Sequence, residues 1–136
     1  MATSHVIYLG ELSTEATHLK SSSKLKTDAP TDNNGLGRTF SPTDLLATSL
    51  ATCMLTIMGI RANESSWNIE GTSATVTKIM ESNPRRVSEI KVEIEIFDFG
   101  LTQVQKTVLE KTALTCPVAL SLSESLKQTV SFRYRK

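Results

Sequence analysis

The chain has 136 residues, 39% hydrophobic and 21% charged, with 15 basic against 14 acidic side chains and a formal net charge of +1. That length fits a single domain spanning residues 1–136, which buries roughly two-thirds of its unfolded surface and folds without staples. The balanced, interspersed charge argues against nucleic acid or an anionic membrane as partner.

The first twenty residues, "MATSHVIYLGELSTEATHLK", carry no basic region ahead of an apolar run. No secretory signal is therefore expected, and a reducing cytoplasm is the default compartment. Within the same stretch "HVIYLG" and "EATHLK" have the β-branched and aromatic content of short strands, with Gly10 marking a turn between them. "SSSKLKTD" continues into a third strand. The next segment, "DAPTDNNGLGRT", collects Pro, Asp, Asn and Gly and reads as a loop.

A long helix follows. Ser41 is its predicted cap, Pro42 suits the first helical position, and Asp44 stands three residues after the cap. Leu45, Leu46, Leu50, Cys53, Met54, Ile57, Met58 and Ile60 cover most of its circumference, which predicts burial on most sides. A domain this small rarely supplies that much cover alone, so a second subunit is expected. Asp44 and several Ser and Thr residues make it a core helix rather than a membrane span.

Beyond it, "WNIEGTSATVTKI" alternates as a strand and "NPRR" breaks as a turn. "VSEIKVEIEIF" sets Ile90, Val92, Ile94 and Ile96 against Glu89, Lys91, Glu93 and Glu95, a half-buried antiparallel strand with one solvated face. That acidic face is a wet surface, and no metal site is expected there. "TQVQKTVLEKTALTC" and "PVALSLSESL" have helical spacing, and "QTVSFRYR" closes the chain as a strand with Val130, Phe132 and Tyr134 on one face. Strands, long helix, two strands, two helices and a final strand make an α+β fold.

The two cysteines, Cys53 and Cys116, lie 63 positions apart, which excludes the CxxC spacing of zinc and thioredoxin-type sites. Cys116 directly precedes Pro117, so it is predicted at a helix N-terminus, where unpaired amides favour a thiolate. Cys53 lies about three turns into its helix, where an apolar setting leaves a thiol inert unless a cation arrives from elsewhere. Arg38, in the loop ahead of the helix and the first arginine in the chain, is one candidate cation. The residues alone leave two readings open: inert core cysteines, the commoner use of a free thiol, or a reactive pair.

"FSPTDLLATSLATC", with its cysteine eleven positions after the proline, resembles the OsmC/Ohr family, and "TCPVALSL" resembles that family's second cysteine motif. The elements between and after them match in order, so the resemblance covers nearly the whole chain. It implies an OsmC-like fold: antiparallel sheets around a long buried helix, intertwined as a homodimer with active sites at the subunit interface. It also implies a peroxidase chemistry in which Cys53 attacks an organic hydroperoxide and becomes a sulfenic acid. Cys116 then condenses with it to a disulfide, and a dithiol reductant restores both thiols without a cofactor. Leu50, Met54 and Ile57 are the expected apolar walls of the substrate site.

The same resemblance implies a thiolate-stabilising arginine near the first strands and a glutamate directly after the Ser-Pro. Here no arginine precedes Arg38, and that second position is Thr43, with Asp44 one residue on. Lys20, Lys24, Lys26 and His18 are the remaining candidate partners for Cys53. This departure places the chain nearer the branch of the family that keeps the cysteines without that pair. Two other uses of the same residues follow: a redox switch based on the Cys53–Cys116 disulfide, and a non-enzymatic dimer binding a small apolar ligand.

Overall fold

A computed structural model describes every residue from Met1 to Lys136, and the stretch expected to act as one domain gathers into two compact units, Met1–Leu46 and Ala47–Lys136. In the first unit β1 (Ser4–Gly10), β2 (Ser13–His18) and β3 (Lys24–Asp28) form an antiparallel sheet in chain order. The β1–β2 turn needs left-handed backbone, and Glu11 and Leu12 supply it with φ of 53° and 61°. The pairing of Val6 with Ala16 and of Ala16 with Leu25 puts one apolar row across the sheet. Tyr8, Thr14 and Thr27 extend it.

The loop after β3 contains one 3-10 turn, Thr31–Asn33, and folds back tightly enough that a side chain at Gly35 would meet the Ala29 carbonyl oxygen at 1.7 Å. It leads into α1 (Pro42–Glu64), whose start is the one predicted. The Asp44 amide donates to Ser41 Oγ at 3.0 Å and the Ser41 amide donates to the Asp44 carboxylate at 2.9 Å, a reciprocal cap.

The second unit holds the core. Along α1 only Ala47, Leu50, Ala51, Met54, Met58 and Ala62 are buried, a single stripe rather than the nearly full circumference expected from composition. By length and apolar content α1 would suffice to cross a bilayer, but this stripe is committed to the protein core. The strand expected from Trp67 starts later, as β4 (Ser73–Glu81), because residues 67–72 form a turn: Thr72 Oγ1 donates to the Ile69 carbonyl and Gly71 has φ of 92°.

β5 (Arg86–Phe97) alternates as predicted, with Ile90, Val92, Ile94 and Ile96 buried. It pairs antiparallel with β4 but parallel with β6 (Lys127–Arg135), so this sheet is mixed where antiparallel strands were expected. The cause is the connection. α2 (Gln103–Leu114) and α3 (Pro117–Ser121) lie between β5 and β6, and a parallel pair needs such a crossover. Two side-chain devices aim it. Asp98, just after β5, accepts the Gly100 and Leu101 amides at 2.9 and 2.7 Å and meets Lys106 of α2 at 3.4 Å. Those amides hold the Asp98 carboxyl below its usual range. Thr102 and Gln105 then close a capping box on α2. Val104, although at helical spacing with Leu109 and Ala113, is in the first turn and exposed, while Leu109 and Ala113 carry the burial.

Candidate functional site

Both cysteines belong to the second unit, and the fold brings them together. The crossover delivers Cys116 to the N-cap of α3, with Pro117 at the first helical position. Its Sγ accepts the Ala119 amide at 3.4 Å and is near enough to the Cys53 thiol for the two to influence each other. Residues 63 positions apart in sequence thereby become neighbours.

Their surroundings differ in a way the sequence did not anticipate. Cys116 has no exposed surface, and burial pushes its thiol above the ordinary range. The Ala119 and Val118 amides act in the opposite direction, and the neighbouring Cys53 raises it further. The expected thiolate at Cys116 is therefore corrected to a neutral thiol, because desolvation outweighs the amides of a five-residue helix.

Cys53 is the accessible member of the pair. It is part-exposed at a cleft of about 260 Å³ lined by Thr52, Cys53, Thr56, Ile57, Ile60 and Pro117. The helix period explains the set: positions 53, 56, 57 and 60 share one side of α1, and Pro117 arrives with Cys116. Both threonines return their hydroxyls to the helix backbone, Thr52 to the Ser49 carbonyl at 3.0 Å and Thr56 to the Thr52 carbonyl at 2.7 Å. With those protons used internally, the threonines have only lone pairs to offer in the cleft.

Of the expected wall residues, Ile57 borders the cleft. Leu50 and Met54 do not: both have no exposed surface and sit on the core stripe of α1, because steps of three and four residues from Ala47 lead there rather than to Cys53. Thr52, Thr56, Ile60 and Pro117 are the lining residues that sequence reasoning missed. The signal was available in the spacing from Cys53 once one face of the helix was taken as open.

Arg38 is in the first unit, and its partner there is Asp28. The guanidinium makes a two-pronged contact, Nε to Oδ2 at 2.8 Å and Nη2 to Oδ1 at 3.1 Å, and the Arg38 amide adds a third bond at 2.9 Å. The Asp28 side chain is 4% exposed and that of Arg38 55%. The Arg38 guanidinium holds the Asp28 carboxyl down at about 2, with Ser13 assisting against the cost of burial. Arg38 is in turn held further above its usual range. Of the other candidate partners for Cys53, Lys24 pairs with Glu15 at 3.5 Å and His18 meets Ser21 Oγ at 2.6 Å, both inside the first unit.

Residues 34–131, which include both cysteines, match the family of OsmC-like proteins. The chain belongs to the OsmC-like family. A solved structure from Psychrobacter arcticus 273-4, provisionally assigned as an osmotic stress induced and detoxification response protein, is 50% identical. It aligns over 98% of this chain and 96% of its own, with a TM-score of 0.93. Two more distant structures share the OsmC-like fold at 20% identity. The OsmC like protein from Mycoplasma pneumoniae has a TM-score of 0.81 over 98% of this chain and 96% of its own. The organic hydroperoxide resistance protein OsmC from Legionella pneumophila has a TM-score of 0.72 over 98% of both chains. No curated protein matches.

Proposed function

We propose that this OsmC-like protein is a thiol-dependent peroxidase that reduces organic hydroperoxides through Cys53 and Cys116. The observation that carries the reading is the asymmetry of the pair: two adjacent thiols, of which only Cys53 opens onto a cleft. The names of the relatives, one a stress and detoxification protein and another a hydroperoxide resistance protein, support the same theme.

In the cycle, Cys53 as a thiolate attacks the terminal oxygen of a hydroperoxide ROOH. The O–O bond breaks, RO⁻ leaves and takes up as ROH the proton that the Cys53 thiol released, and Cys53 becomes a sulfenic acid. Cys116 sulfur attacks Cys53 sulfur, the hydroxyl leaves as water with the Cys116 proton, and a disulfide forms. A dithiol returns two electrons and two protons. Ile57, Ile60 and Pro117 supply an apolar lining that suits an alkyl or aryl hydroperoxide over hydrogen peroxide. Arg38 is committed to Asp28 within the first unit and the residues lining the Cys53 cleft include no cation, so turnover is expected to be modest.

The working unit is a homodimer in a reducing cytoplasm, with an organic hydroperoxide and a dithiol as its chemical partners. Large apolar side chains left bare on the first sheet, Val6, Tyr8 and Leu25, and Ile60 on the open side of α1 support a second copy as their cover.

The test is consumption of an aryl hydroperoxide in the presence of dithiothreitol. Wild type turns over and Cys53→Ser does not, while Cys116→Ser, exposed to the peroxide without dithiothreitol, consumes one equivalent and carries a trappable sulfenic acid on residue 53. Two intact thiols after exposure to peroxide would sink the enzyme reading. A disulfide formed without turnover would assign the pair to a redox switch instead.

A further inference from the structure

A disulfide has two sulfurs, and a reductant must choose one. Which is attacked depends on access and on the sulfur that leaves. We infer that the reducing thiolate attacks Cys53, so that the mixed disulfide forms on Cys53 and Cys116 is the leaving sulfur. This deepens the peroxidase reading and rests on its claim that the two cysteines join.

Access decides the first half. Cys53 faces the cleft beside Thr56, Ile57 and Pro117, whereas Cys116 has no exposed surface. The α3 turn that Cys116 caps must open before a thiolate reaches its sulfur, since Sγ holds the Ala119 amide and the Cys116 carbonyl accepts the Leu120 amide at 3.1 Å. Leaving-group strength runs the other way, since burial raises the Cys116 thiol and the Ala119 amide offsets only part of that, so access makes the choice. As the S–S bond breaks, negative charge collects on Cys116 Sγ, where the Ala119 N–H already points.

The step balances as follows. A thiolate RS⁻ bonds to Cys53 Sγ while the Cys53–Cys116 bond breaks. Cys116 leaves as a thiolate and takes up the proton that RSH released, as its buried setting favours. The second thiol of the reductant then attacks its own mixed disulfide, freeing Cys53 and closing a disulfide within the reductant.

The test forms the protein disulfide with diamide, a chemical oxidant of thiols, so that a protein inert toward hydroperoxides still reports which sulfur is attacked. A short pulse of glutathione, an acid quench, alkylation and peptide mapping follow. The expected result is glutathione on Cys53 and alkyl on Cys116, roughly tenfold or more over the reverse pattern. In parallel, folded Cys116→Ser takes glutathione from glutathione disulfide, and folded Cys53→Ser takes it at least about tenfold more slowly until denatured. An adduct chiefly on Cys116, an even split, or no disulfide with diamide overturns the inference. So does a disulfide that resists glutathione in a protein whose Cys116→Ser variant also takes none.

Discussion

At the scale of single residues, the contrast between Asp28 and Cys116 shows burial acting with and against a partner. Asp28 is buried yet keeps its charge, because Arg38 supplies a two-pronged cation and a backbone amide. Its carboxyl titrates at about 2 rather than in the ordinary aspartate range. A depressed carboxyl stabilises the fold above its unfolded value, and that contribution is lost as pH falls through about 2. The Arg38 side-chain N–H signal followed by NMR should hold its position well into acid and move only near pH 2. In Asp28→Asn that acid step disappears. Cys116 has only weak amide donors against full burial, so its shift is upward. Its stabilising effect is complete below the ordinary thiol range and declines as pH rises toward the raised value. Cys116→Ala removes both the α3 cap and buried volume and should cost about 1–2 kcal/mol in urea unfolding. Cys116→Ser, which keeps an acceptor for the Ala119 amide, should cost less.

At the scale of elements, α1 serves two masters on two faces. Leu50, Met54 and Met58 bury completely, whereas Ile60 keeps half its surface exposed although it is as apolar as they are. Met54→Ala should therefore cost about 2–5 kcal/mol by chemical denaturation, the usual penalty of a core cavity. Ile60→Ser, on the cleft side and outside the core stripe, should cost less by the same measurement and change hydroperoxide selectivity. Equal losses for the two variants would show that Ile60 is packed as tightly as Met54 in the assembled protein. The β5–β6 pairing carries a related lesson: strand periodicity sets which side chains point inward, but the α2–α3 crossover sets strand direction.

At the scale of the whole molecule, the bare apolar row of the first sheet sets the expectation for assembly. Val6 and Tyr8 keep 58% and 63% of their surface exposed, more than a solitary sheet of three strands tolerates comfortably. Sedimentation at micromolar concentration should give twice the 14.9 kDa chain mass. The double variant Val6→Lys, Leu25→Glu should sediment nearer one chain mass. A wild-type protein that sediments as one chain would remove the dimer and leave Ile60 and the first sheet without their proposed cover.

The sequence by itself determined the elements and their order, since helix and strand periods, the Ser41–Asp44 cap and the Gly10 turn are local properties of neighbouring residues. It also marked both cysteines as the chemistry-bearing positions through motifs that lie within a few residues of each. Tertiary structure alone decided what those positions are like. The proximity of residues 63 positions apart, the full burial of Cys116 and the partial exposure of Cys53 depend on where the crossover lands. So does the choice of Ile57 over Leu50 and Met54 as cleft wall. An apolar residue reads the same in a sequence whether it faces a core or a cleft, and only the packing of distant elements distinguishes the two.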